Sequence, residues 1–231
     1  MKLRNTVIVV AAVAMAATIQ TAQAAFTDNL ADLVATGGSL TIDDKTFSGF
    51  SFNDSGLVSF NAANIIVTAS ESGGVDYLTW SGSIALTGGG PVTADLKLNY
   101  IVSASAGAIN MIDQAYTGSA NGGLLAIDET VATGSFGGTV VGNSHLSGLD
   151  LSDPPAELND NLDIVPPETL LYVTKDISLA IPNSSITLVT ISQVTQSFHQ
   201  VPEPTTMLAG ALLLLPLGAS TLRILRRNRM S

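Results

Sequence analysis

Apolar and polar residues alternate along most of the chain. From Ala94 to Ala104 every second residue is apolar (Ala94, Leu96, Leu98, Tyr100, Val102, Ala104), with Asp95, Lys97 and Asn99 between them. Successive side chains of a strand point to opposite faces, so this stretch predicts a strand with one wet face. Leu78, Trp80, Ile84 and Leu86 alternate with Thr79, Ser81, Ser83 and Ala85 in the same way, and Gly82 falls on the apolar phase. Phe50 and Phe52, Ile65 to Ala69, Ile109 to Ile112, Leu170 to Ile181 and Ile186 to Val194 supply further runs. Gly37-Gly38, Gly73-Gly74, Gly88-Gly89-Gly90-Pro91, Gly122-Gly123, Gly137-Gly138 and Pro182-Asn183 separate them as turns. Helical periodicity is confined to Thr27 to Val34, enough for one or two turns. Many short strands between glycine turns predict an all-β body, an antiparallel β-sandwich or barrel-like domain.

The two ends break this pattern. Lys2 and Arg4 precede an apolar run from Val7 to Ala17, followed by a polar stretch that closes on Ala22-Gln23-Ala24. This is the order of a secretory signal peptide over residues 1–24, with cleavage between Ala24 and Ala25. The apolar run is shorter than the roughly 20 residues a spanning helix needs, which suits translocation rather than anchoring. At the other end Val201-Pro202-Glu203-Pro204 leads into an apolar run over 207–222 and then a basic end over 223–229. The prolines keep 202–204 out of any helix interior or central strand, presenting an extended segment. Residues 207–222 are expected to form a single C-terminal transmembrane helix. Arg223, Arg226, Arg227 and Arg229 would act as its stop-transfer signal on the cytoplasmic side. The expected organisation is therefore signal peptide 1–24, extracytoplasmic β-domain 25–200 and sorting or anchor segment 201–231.

The Val-Pro-Glu-Pro-Thr sequence, the glycine-containing apolar run and the arginine-rich end resemble the PEP-CTERM sorting signal. The commonest form of that signal has Ser where Thr205 stands and Trp near Met207. The resemblance implies an exosortase-type sorting enzyme as partner, passage through the inner membrane before processing, and a destination at the cell surface or outside the cell. It also implies a setting in which exopolysaccharide is made. Leu40 to Phe52, with its Asp44-Lys45-Thr46-Phe47 turn, resembles the opening of one group of PEP-CTERM proteins. Val173 to Ile177 and Ser192 to Phe198 resemble later strands of that group. Read from the residues alone, these segments are core aromatics and solvated charge pairs at strand ends.

Charge narrows the partners. Residues 25–200 hold three lysines, Lys45, Lys97 and Lys175, against eighteen acidic residues. Such a body repels nucleic acid and anionic membranes, so no nucleic-acid partner is expected. The chain has 0 Cys, which removes disulfides, thiolate metal sites and cysteine nucleophiles. His145 and His199 are the two histidines. His199 falls in what reads as a linker, so a Ser-His-Asp site would have to use His145, a loop residue on this reading, and no G-x-S-x-G elbow accompanies it. Two distant histidines make a poor zinc site. Asp150, Asp153, Glu157, Asp160 and Asp163 surround Pro154-Pro155 in an oxygen-rich stretch. Asp150, Asp153, Asp160 and Asp163 are candidate calcium ligands, although the order of an EF-hand is missing. No cofactor is expected. The reading that follows is a non-catalytic structural, adhesive or polymer-binding module at the cell surface. Its alternatives are a secreted hydrolase with carboxylate chemistry and a plain single-pass anchored β-domain.

Overall fold

The structure, a computed structural model, describes residues 25–120, 123–148, 159–183, 185 and 188–201. The signal peptide, the segment 202–231 with its expected membrane helix, and Asp150 and Asp153 lie outside the described residues. Among the described residues no helix is long and apolar enough to cross a membrane.

Twelve strands are described: β1 (Phe26–Asn29), β2 (Leu40–Ile42), β3 (Lys45–Asp54), β4 (Ile66–Ser72), β5 (Val75–Thr87), β6 (Val92–Ala104), β7 (Ala108–Ser119), β8 (Leu124–Thr133), β9 (Thr139–Gly148), β10 (Asn159–Glu168), β11 (Leu170–Ile181) and β12 (Leu188–Val201). One helix, α1 (Leu30–Thr36), joins β1 to β2. The strands form two antiparallel six-stranded sheets. Sheet A has the order β1-β4-β5-β12-β7-β10 and sheet B the order β2-β3-β6-β11-β8-β9. The all-β sandwich expected from the alternation is what the chain adopts. Strands β5 to β12 carry the strand order of an eight-stranded jelly roll, and β1 to β4 extend its two sheets on one side.

Local chemistry explains the departures from simple alternation. The helix begins at Leu30 rather than Thr27 because β1 first pairs with β4, Phe26 opposite Ala69. Asn29 then caps it by accepting from the Asp32 backbone N–H at 2.9 Å, and Gly37 ends it in the left-handed conformation at φ 64°. Gly73 and Gly74, at φ 65° and 81°, turn β4 into β5 as a tight hairpin. The Gly88 to Pro91 turn is different, since it carries the chain from sheet A to sheet B. Gly49, at φ 61°, sits in a register shift between Ser48 and Ser51 that sends both Phe47 and Phe50 inward.

The space between the sheets is filled by Phe47, Phe50, Trp80, Tyr100 and Phe198 among the aliphatic side chains. Phe47 and Phe198 have ring centroids 5.0 Å apart, and Phe50 meets Trp80 edge-on at 5.7 Å. Contacts across the two sheets, rather than within one, thus weld the sandwich.

Candidate functional site

Sheet B turns its outer face to solvent, and its register aligns polar side chains in rows across the strands. One row runs Asn53, Lys97, Asp176, Asp128, His145 from β3 to β9. Two residues along each strand, a second row runs Ser51, Asn99, Thr174, Thr130, Asn143. On the other side of the first row lie Asp95, Ser178, Ala126 and Ser147. Rows of this kind present donors and acceptors about 4.8 Å apart across strands and about 6.8 Å apart along them.

Neighbours within the rows hold one another. Thr174 Oγ1 donates to Asn99 Oδ1 at 2.8 Å, and Asn99 Nδ2 donates to Ser51 Oγ at 3.2 Å. Ser178 Oγ donates to Asp95 Oδ1 at 2.8 Å. Lys97 and Asp176 form a surface ion pair at 3.4 Å, a contact of small energetic value that fixes side-chain direction. His145 Nδ1 lies 2.7 Å from Asp128 Oδ1. His145 is therefore a strand residue on an open face, not a loop residue.

Beyond the second row the face becomes aromatic. Tyr172 stands on the outer side of β11, and Phe136, from the turn between β8 and β9, meets it edge-on with centroids 5.2 Å apart. Phe136 remains 40% exposed. At the opposite end lies exposed Leu124, so outward positions from Leu124 to Ala132 on β8 describe a lane about 27 Å long. Two depressions lie along it and share His145. One, of about 550 Å³, is lined by Asp128, Thr130, Asn143, His145, Asn159 and Asp160 among others. The other, of about 510 Å³, includes Asp95, Leu124, Ser147 and Ser178.

Nothing in the alternation marks Phe136 and Tyr172 as a pair. The available signal was an aromatic residue set between Gly134 and Gly137-Gly138, in a turn otherwise made of small residues. Asp160 reaches the lane, but Asp163 does not join it there. Asp160 pairs with Gln114, a buried inward position, whereas Asp163 is three residues further along β10 and exposed, so the two leave the strand on opposite faces. Val201 is the last residue of β12, opposite Ala108.

Two lysines expected as solvated partners of their neighbouring aspartates are instead buried. Lys45 Nζ donates to Asp76 Oδ2 at 2.7 Å and to Asp44 Oδ1 at 3.0 Å, with Lys45 1% exposed. The carboxylates of Asp43, Asp44 and Asp76 lie within 4.8 Å of one another, a spacing that could hold a metal, but the Lys45 ammonium already bonds two of them. Burial raises the Asp76 pKa against the opposing pull of Lys45. Lys175 is 0% exposed and pairs with Glu129 between the sheets. The signal for both was phase. Leu171, Val173, Lys175, Ile177 and Leu179 form one inward set, with the lysine in its middle.

His199 also differs from expectation. It lies on β12, opposite Met111, rather than in a linker. Its Nε2 is 2.8 Å from Asp113 Oδ2 and 3.3 Å from Ser197 Oγ, and Ser197 Oγ is itself 3.1 Å from the same Asp113 oxygen. A hydrolytic triad needs a histidine that turns one ring nitrogen to the acid and the other to the nucleophile. Here one nitrogen faces both, and the group forms a closed triangle on the outer face of sheet A.

No protein family matches the chain, and no curated protein sequence matches it significantly. Its backbone is similar to that of TmCBM61 in complex with beta-1,4-galactotriose, with a TM-score of 0.32 and 10% identity over 64% of this chain and 87% of that one. It is also similar to a CBM32 of AlyQ in complex with 4,5-unsaturated mannuronic acid, at TM-score 0.26 and 13% identity over 52% of this chain and 78% of that one. A family two carbohydrate esterase from Cellvibrio japonicus matches at TM-score 0.24 and 16% identity, over 67% of this chain and 36% of that one.

Proposed function

We propose that this chain is an exported, non-catalytic module that holds a polysaccharide against the outer face of sheet B. The pairing of exposed Phe136 with half-buried Tyr172 at the end of a polar lane carries the reading. A sugar ring is amphipathic: its C–H face packs on an aromatic side chain while its hydroxyls exchange hydrogen bonds with amides, hydroxyls and carboxylates. The lane supplies both kinds of contact in sequence, and its length suits a chain of sugars better than a single one. Asp95, Asp128 and Asp176 outnumber Lys97 and His145 along it, which favours neutral or amino-sugar polymers and opposes polyuronates.

Binding to neutral glycans, an amino-sugar polymer and a polyuronate, measured by affinity electrophoresis, tests this. Replacing Phe136 and Tyr172 together by alanine should weaken retention at least about tenfold, the scale of one aromatic hot spot, while the fold stays intact. Equal retention of the variant, or preference for the polyuronate, would remove the site from sheet B.

The same reading includes delivery. Residues 1–24 would start export, Pro202-Glu203-Pro204 would be the element a sorting enzyme of the exosortase type recognises, and 207–222 would hold the precursor in the inner membrane. Alanine at Pro202, Glu203 and Pro204 leaves the span and its arginines unchanged, so that variant should insert but remain unprocessed. Intact mass of the membrane and released fractions reports the outcome. Identical masses for wild type and variant would reduce the tail to an ordinary anchor.

A further inference from the structure

Between the sheets lies a polar cluster that polymer binding does not use. Lys175 of β11 and Glu129 of β8 are cross-strand partners in sheet B, and Gln114 of β7 and Gln196 of β12 are cross-strand partners in sheet A. All four side chains are buried and face one another: Lys175 Nζ donates to Glu129 Oε2 and, at 2.7 Å, to Gln114 Oε1. Gln196 Nε2 donates to Glu129 Oε2 at 2.5 Å. Gln114 Nε2 donates to Ser144 Oγ at 2.5 Å, which turns the amide so that its carbonyl faces the lysine. Glu129 Oε1 is buried with no partner among the described residues.

An amine, a carboxamide and a carboxyl group held this way are the parts of an acyl transfer. We propose that Lys175 and Gln114 become joined by an isopeptide bond that straps sheet B to sheet A, with Glu129 as the proton acceptor. Lys175 first gives a proton to Glu129, leaving a neutral amine. Its lone pair attacks Gln114 Cδ, forming the new N–C bond as the carbonyl π pair moves onto Oε1. The second proton passes from Nζ to Nε2, the Cδ–Nε2 bond breaks with its pair on nitrogen, and the carbonyl re-forms. Ammonia leaves, Nζ keeps one hydrogen, and Glu129 stays protonated. No oxidant or reductant is involved.

Several features favour this course. Burial depresses the Lys175 pKa against the pull of Glu129, so the nucleophilic neutral amine is within reach. The hydrogen bond to Oε1 brings Nζ toward the carbonyl carbon without diffusion, the proximity that converts a slow bimolecular step into a fast internal one. Protonation gives Glu129 Oε1 a role and leaves no uncompensated charge in the core. Glu129 and Ser144 both border the larger depression on the lane, which offers ammonia a way out. The bond would span 61 residues of chain in a protein with 0 Cys.

Trypsin digestion of the unfolded full-length protein reads the outcome directly. Lys97 and Lys175 bracket Gln114, and no other lysine or arginine lies between them. In the wild type, cleavage should occur after Lys97 but not after Lys175, and the fragment that begins at Leu98 should be lighter than its sequence by one ammonia. Fragmentation should locate the deficit at Gln114 and Lys175. The Glu129→Gln variant keeps the size and most hydrogen bonds of the core but cannot take the proton, so its fragment should be cut after the lysine and carry full mass. Lys175→Arg should likewise be cut there, as a control for access. Release from the wild type of an unmodified 98–175 peptide would overturn the proposal, and a bond that persists in Glu129→Gln would overturn the role given to Glu129.

Discussion

Relative to protein in which Lys175 and Gln114 are not yet joined, Lys175→Met should lower the unfolding free energy by about 3–5 kcal/mol, the usual result of stranding one member of a buried ion pair. Methionine fills much the same volume, so the loss would not come from a cavity. It would come from Glu129, which is buried at 1% exposure and would keep only the Gln196 amide among its described partners. Gln114 would lose its contact with the ammonium as well. The remedy is informative: adding Glu129→Leu to the same protein removes the stranded charge, and a well-packed apolar replacement should return a large part of the loss. Urea unfolding of wild type whose intact mass shows no ammonia lost, and of the single and double variants, gives the comparison. A single variant within about 1 kcal/mol of wild type would mean that water reaches the cluster and solvates Glu129.

The second large effect belongs to Gly82. It lies in β5 at φ 149°, a conformation that side chains avoid, and an added Cβ would come within 2.6 Å of the Asn64 carbonyl oxygen and of Ile65 Cδ1. Ile65 can rotate away, but Asn64 O belongs to the short 3-10 turn Ala62–Asn64, so backbone would have to move. Gly82→Ala should therefore cost about 3 kcal/mol, combining backbone strain with overpacking. Gly89→Ala is the matched control, since an added Cβ there meets nothing within 4 Å among the described residues. It should stay within about 0.5 kcal/mol of wild type. Thermal melts of both variants decide the matter, and equal behaviour would show that β5 tolerates a shift at this point.

Much of the sandwich could be read from alternation, because that pattern is a direct record of which face is buried. Strand β6 is the clearest case: its apolar phase from Ala94 to Val102 is wholly buried. Reading failed where phase and side-chain type disagreed. Lys45, Glu129 and Lys175 occupy inward positions, and a charged residue suggests solvent unless its strand phase is allowed to overrule it. It failed again where the partner is distant in sequence, as with His199 and Asp113, which are 86 residues apart. The lane on sheet B depends on register across β3, β6, β11, β8 and β9, and a single sequence carries no record of which strands become neighbours. Pairing of β6 with β11, 66 or more residues away, is set by the closed sandwich rather than by any local signal.

The place of β12 bears on timing. It is the last described strand in the chain, yet it sits between β5 and β7 near the middle of sheet A. Until it arrives, that sheet exists only as two separate pieces, β1-β4-β5 and β7-β10, each with an open edge. A polypeptide emerging from its amino end can thus form the β4–β5 and β8–β9 hairpins early but cannot close the sandwich until Val201 has emerged. Completion of the fold coincides with the end of the domain's own synthesis or passage, and any fragment stopped short of β12 would expose sticky strand edges where the finished protein has none.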